Sequence, residues 1–184
     1  MMKKHEADKF RDRASGLLKK AGIFITSEET RDMEIADCGF GDMARLGLQL
    51  VVYENNSRYC AKEIILLPRQ MFPEHRHPPI DDSNSGKKET FRCRWGTLFL
   101  YIEGDPTPEP KARIPETYGR YLTAWNEVVL RPGEQCTLTP DTLHWFQAGG
   151  KGCVVSEFSS ASLDETDIFT DPRVRRIPVM EDGF

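Results

Sequence analysis

The sequence predicts a mainly β barrel of short antiparallel strands, preceded by a short helical segment. Three observations predict it. Beyond residue 35, apolar residues alternate with period two in run after run. The breaks between these runs are filled by Gly, Pro, Asp and Asn. Helical three-to-four periodicity belongs to the first 35 residues.

Residues 5–21 read as an amphipathic helix. Phe10, Ala14, Leu17, Leu18 and Ala21 share a face, Lys, Arg and Asp fill the other, and Gly22 offers a stop. A second short helix begins at Ser27, with Glu28 and Glu29 in the first turn, where negative charge complements the helix dipole. Leu46–Tyr53 alternates as a strand, Asn55-Asn56-Ser57 turns the chain, and Tyr59–Leu67 resumes. His75 and His77 lie on a further strand, ended by Pro78 and Pro79. More strands are expected at Glu89–Glu103, Tyr121–Leu130, Gln135–Leu138, Leu143–Gln147 and Gly152–Phe158. Gly104-Asp105-Pro106, Pro132-Gly133, Pro140-Asp141 and Gly149-Gly150 separate them as turns. The Pro-rich stretch 106–115 reads as an extended surface loop, since strand texture resumes at once. The tail, 164–184, lacks helical periodicity and is expected to wrap the surface or reach a partner subunit. The expected organisation is one domain over 1–184: a helical extension (1–35), a barrel (36–160) and a tail (161–184).

Composition narrows the partners. A net charge of -4 leaves no basic surplus for nucleic acid. No apolar run approaches the ~20 residues of a membrane span, and the charged N-terminus has no apolar signal core. Five widely spaced cysteines without a CxxC pair suit reduced, buried thiols in a cytoplasmic protein.

The chain has four histidines, and two of them, His75 and His77, sit in one tripeptide. On a strand, i and i+2 project from one face, so both imidazoles can aim at one point. In the strand that follows, Lys87, Glu89, Phe91, Cys93 and Trp95 alternate with Lys88, Thr90, Arg92 and Arg94. The second set is uniformly polar, which turns Glu89 inward. An inward carboxylate needs a cation or a full set of hydrogen bonds. His144, opening a strand after Pro140-Asp141, offers a third imidazole. Taken singly, the HxH reads as a satisfied pair, Glu89 as an edge-strand charge and His144 as a core histidine. Together, three imidazoles and a carboxylate suit a divalent first-row metal with open positions.

The larger spacing carries a resemblance. HxH, Glu89 with Gly96 beyond it, and Gly133…Pro140…His144 resemble the two signature motifs of the cupin superfamily. Cupins are antiparallel jelly-roll barrels with an interior metal held by three His and one Glu. Here eleven residues (PPIDDSNSGKK) separate His77 from Glu89, a longer gap than most cupins have. With that insertion, EHRHPP, ETFRCRWG, PDTLHWFQAG, VVSEFSS and DIFTDPR resemble the cupin-type D-lyxose isomerases, from Gly47 to about Arg173. The resemblance implies a cupin jelly-roll barrel with a short helical N-terminal segment. It implies His75, His77, Glu89 and His144 as metal ligands, manganese as the metal and a homodimer. The implied activity is aldose–ketose isomerisation, D-lyxose to D-xylulose.

Such a reaction needs a Lewis acid for the enediolate and a base to carry a proton between C1 and C2. Glu157, in the apolar run VVSEF, is the expected base. Its neighbours leave its direction open, and the resemblance turns it inward. Glu89 is the second candidate. Lys87, on the face of Glu89, is expected to polarise a sugar oxygen or to protonate the alkoxide. Lys62 and Glu63 alternate on a strand, and one of them is expected to face inward. The rival readings are an iron-dependent cupin dioxygenase, a phosphosugar isomerase and a non-catalytic sugar-binding or sensing cupin.

Overall fold

The computed structural model describes residues 4–176. Helix α1 (Lys4–Lys20) turns Ala7, Ala14, Leu17 and Leu18 inward, and Gly22 beyond it takes the left-handed conformation (φ +73°). Helix α2 (Ser27–Asp32) is closed by a capping box: the Thr26 side chain accepts from Glu29 N–H, and the Glu29 carboxylate accepts from Thr26 N–H.

Nine strands follow among the described residues. They are β1 (Glu34–Ala36), β2 (Leu48–Asn55), β3 (Cys60–Leu66), β4 (Met71–Arg76), β5 (Glu89–Ile102), β6 (Asn126–Leu130), β7 (Gln135–Leu138), β8 (His144–Ser159) and β9 (Ile168–Phe169). All strand pairs are antiparallel. Strands β5 and β8 pair along most of their length and fold together through a corner. On one side of it, β1-β2-β3, the second half of β8, the first half of β5 and β7 form a wall. On the other, β9-β4, the first half of β8, the second half of β5 and β6 form the facing wall. This is the cupin jelly-roll expected from the sequence. Helix α1 covers the outside of the first wall with Val51, Ile65 and Val154, and the inner faces enclose Leu48, Leu50, Ile64, Phe91 and Phe146.

The corner corrects the strand assignment. Gly149-Gly150 is not a turn, and His144–Ser159 is one strand. Gly96 pairs with Cys153 but Leu98 pairs with Ala148, so Gly149–Gly152 bulge out opposite Thr97. Gly96 is required here: its φ is +76°, and a Cβ would lie 2.1 Å from the Gly152 carbonyl oxygen. A second irregularity places Trp95 opposite Val154. Trp95 therefore leaves the inward set of Glu89, Phe91 and Cys93 and packs with α1.

Other boundaries also shift. Residues 121–125 form a loop, not a strand, because Glu74 takes the N–H groups of Thr123 and Ala124 (both 2.7 Å) out of any ladder. Strand β1 and the short helix α3 (Glu116–Gly119) are additions. The tail adds a 3-10 turn (Asp164–Thr166) and β9, which pairs with β4. The Ile177-Pro178 break and the tail's end lie outside the described residues.

Candidate metal centre

The HxH strand delivers its histidines as the alternation requires. His75 ends up opposite His144 across the β4–β8 ladder, with ring centroids 4.2 Å apart. His77 follows the last residue of β4. The long insertion then returns Lys87 and Glu89 to the same place, and Gly86 (φ +99°) makes the return tight. A Cβ on Gly86 would lie 2.4 Å from the His77 carbonyl oxygen.

Each ring is fixed through Nδ1. His75 Nδ1–H donates to the Pro73 carbonyl and His144 Nδ1–H to the Thr142 carbonyl, both at 2.9 Å. His77 Nδ1–H donates to the Asp167 carboxylate at 2.5 Å. A carbonyl can only accept, so the bonds of His75 and His144 place a proton on Nδ1 and leave Nε2 of each neutral ring as a lone pair. The three imidazoles are buried, and their ligand atoms lie within 4.8 Å of one another. His77 Nε2 and His144 Nε2 have no hydrogen-bond partner. Glu89 Oε1 stands 3.3 Å from the first and 3.1 Å from the second.

This donor set fits a divalent cation. With metal–ligand bonds of ~2.1 Å, neighbouring donors lie roughly 3.0–3.4 Å apart. Lone pairs facing one another at that distance repel unless a proton or a metal cation lies between them. Burial, then the neighbouring imidazoles, hold the pKa of His75 well below its ordinary value. Burial also lowers His77, but the Asp167 and Glu89 carboxylates outweigh it and raise His77 to about 9, so a divalent cation binding at its Nε2 would displace a proton. Burial works against ionisation of Glu89, yet the Lys87 ammonium beside it holds its carboxyl well below the usual range.

Beside the histidines lies a buried line of alternating charge. Lys87 Nζ bridges Glu89 Oε2 (2.8 Å) and Glu157 Oε1 (2.6 Å), and Lys62 Nζ approaches Glu157 Oε1 at 3.4 Å. Glu157 thus points inward, buried to 3 % exposure. Lys62 is the inward member of its pair. Glu63 lies on the outer face, where Ser156 Oγ donates to it at 2.8 Å. Burial pulls the Lys87 ammonium down, but the two carboxylates outweigh it and raise its pKa.

The line continues into residues that sequence reasoning left without a role. Lys62 Nζ donates to Ser162 Oγ (3.3 Å), which donates to Asp164 (2.6 Å), and Asp164 pairs with Arg176, itself paired with Glu34. Asp164, Asp167 and Arg176 line the cavity with Lys62, Lys87 and Glu157. Leu48, Leu50, Ile64, Phe72, Phe91 and Phe146 form its apolar part. Trp145 lies elsewhere, stacked on Tyr101 at 4.1 Å. The DIFTDPR segment was the available signal for Asp167. No local pattern marks Arg176.

The matches to known proteins agree with this geometry. The D-lyxose isomerase family model matches residues 105–183. A D-lyxose ketol-isomerase of Thermofilum sp. (strain ex4484_79) is 58% identical over 178 residues, 97% of this chain and 98% of the relative. A D-lyxose/D-mannose isomerase of Thermosediminibacter oceani is 54% identical over 99% of this chain and 100% of its own. Among solved structures, the L-ribose isomerase of Acinetobacter sp. DL28 in complex with L-ribose superposes with a TM-score of 0.78, covering 97% of this chain and 98% of that one. The Cellulomonas parahominis L-ribose isomerase with L-ribose gives 0.76, covering 94% of each chain. Both are 17% identical to this chain, so they speak for the fold. Identity above half over nearly the whole length settles the family: the chain belongs to the D-lyxose isomerases.

Proposed function

We propose that the protein is a divalent-metal-dependent aldose–ketose isomerase that interconverts D-lyxose and D-xylulose. The observation that carries the reading is the convergence of three imidazoles and Glu89 next to a second buried carboxylate, Glu157. A cation held by His75, His77, Glu89 and His144 would supply the Lewis acid that makes the C1–C2 oxygens electron-poor. Glu157 is the base: it takes the proton from C2 of the open-chain sugar and returns it to C1. Lys87 holds Glu157 and Glu89 in register and presents an ammonium to the oxygen on which negative charge develops. Glu89 remains the alternative carrier of the proton. Manganese as the metal and a homodimer follow from the family resemblance, and a cytoplasmic setting from the five unpaired cysteines.

D-mannose is a second substrate to test, because it shares the C2–C4 configuration of D-lyxose and one close relative is named for both sugars. Metal-stripped protein reconstituted with Mn2+ should convert D-lyxose to D-xylulose, read by chromatography, and deuterium from solvent should appear at the transferred position. No turnover of either sugar with any first-row divalent ion would overturn the proposal. Oxygen consumption under the same conditions would favour the dioxygenase reading.

A further inference from the structure

The three imidazoles are not held alike. His75 and His144 lean on backbone carbonyls of their own strand and turn, two residues away. His77 leans on a side chain ninety residues distant, the Asp167 carboxylate. That carboxylate is 4 % exposed and immediately precedes β9. In the same segment Phe169 pairs with His75 in the β4–β9 ladder and stacks on its ring, with centroids 5.4 Å apart and planes at 23°. One stretch of chain therefore packs against two of the three histidines. A carboxylate on Nδ1–H fixes the ring's tautomer and orientation and makes Nε2 a stronger donor than a carbonyl partner does.

Resting on the metal reading of the site, we propose that Asp167 is a positioning residue for His77 and that, through it, docking of segment 164–176 and metal binding stabilise each other. The coupling is reciprocal by necessity: if the docked segment raises metal affinity, bound metal holds the segment down by the same factor. The apolar half of the contact, Phe169 on His75, keeps the segment in place when the carboxylate is neutralised, which separates the two contributions.

The test uses the full chain and Mn2+ alone. Asp167→Asn should weaken Mn2+ binding about 10–100-fold in competition with a chelator, with the metal-free protein still unfolding in one cooperative transition. Asp167→Glu should recover part of that loss, and kcat at saturating Mn2+ should fall far less than the affinity. Hydrogen–deuterium exchange of the unaltered protein gives an independent measurement: amides of 164–176 should gain protection when Mn2+ is added. Parental affinity in Asp167→Asn, or equal exchange with and without Mn2+, would overturn the inference while leaving the metal site intact. A parent chain that binds no Mn2+ would overturn both.

Discussion

At the scale of single residues, the sharpest contrast is between the two buried carboxylates beside the histidines. Glu89 faces two Nε2 atoms, whereas Glu157 faces only ammonium groups, those of Lys87 and Lys62. Glu157→Gln should keep stoichiometric metal by elemental analysis and lose roughly 10²–10⁴-fold in kcat, the usual worth of a placed acid–base group. A variant within tenfold of the parent would remove Glu157 as the base. His144→Ala should lose the metal itself, because it removes one of the three converging imidazoles, whose ring lies 4.2 Å from that of His75. Retained stoichiometric metal in that variant would sink the assignment. The inward set of β5 was legible because its polar partners, Lys88, Thr90 and Arg92, left only one choice of face. Glu157 was not legible by periodicity. Its run has apolar residues on both faces, since Val155 packs in the barrel and Val154 under α1.

At the scale of elements, the strands whose residues set their own pairing were readable, and those set by distant partners were not. Helix α2 and strand β7 fall where local patterning put them. Strand β9 has two residues and exists because β4 offers it an edge, so nothing near Ile168 could announce it. The loop 121–125 has strand composition but serves Glu74, whose carboxylate also accepts from Thr170 Oγ1 at 2.7 Å. Glycines behaved in the same way. Gly149-Gly150 looked like a turn and is instead part of a bulge, because only the crossing with Gly96 decides its shape. Gly96→Ala should destabilise the protein by about 2–4 kcal/mol in denaturant unfolding, through a backbone clash together with an unfavourable φ. A loss under ~0.5 kcal/mol would mean that the corner yields more easily than a packed interior does.

At the scale of the whole molecule, charge and cation supply the levers. Burial raises the Asp164 carboxyl, but Lys62 and Arg176 outweigh it and bring the pKa down to about 2. An unfolded Asp titrates near ~3.9, so the folded state favours the ionised form. That contribution is complete above about pH 4 and is lost as pH falls towards 2. Asp164→Asn should therefore lower stability at pH 6 by on the order of 1–2 kcal/mol and flatten the acid limb of the stability curve. Identical curves for parent and variant would show that the pair with Arg176 does nothing for folding. Mn2+ at 100 times its Kd should add ~2.7 kcal/mol, seen as a higher melting temperature that a chelator reverses. No shift would mean the four donors do not bind it.

The corner of β5 and β8 has a consequence for how this chain can vary in length. His144 and Glu157 are thirteen positions apart, an odd number, yet His144 joins the inner histidine cluster and Glu157 lines the cavity beside it. A regular strand would put them on opposite sides. The bulge between Ala148 and Cys153 restores agreement by shifting the alternation once, and the irregularities around Trp95 and Gly96 do the same on β5. Insertions and deletions at that corner are thus counted by parity. Adding or removing two residues there should leave His144 and Glu157 on one face, while a change of one should turn Glu157 to the outer face of the wall without altering any residue of the site.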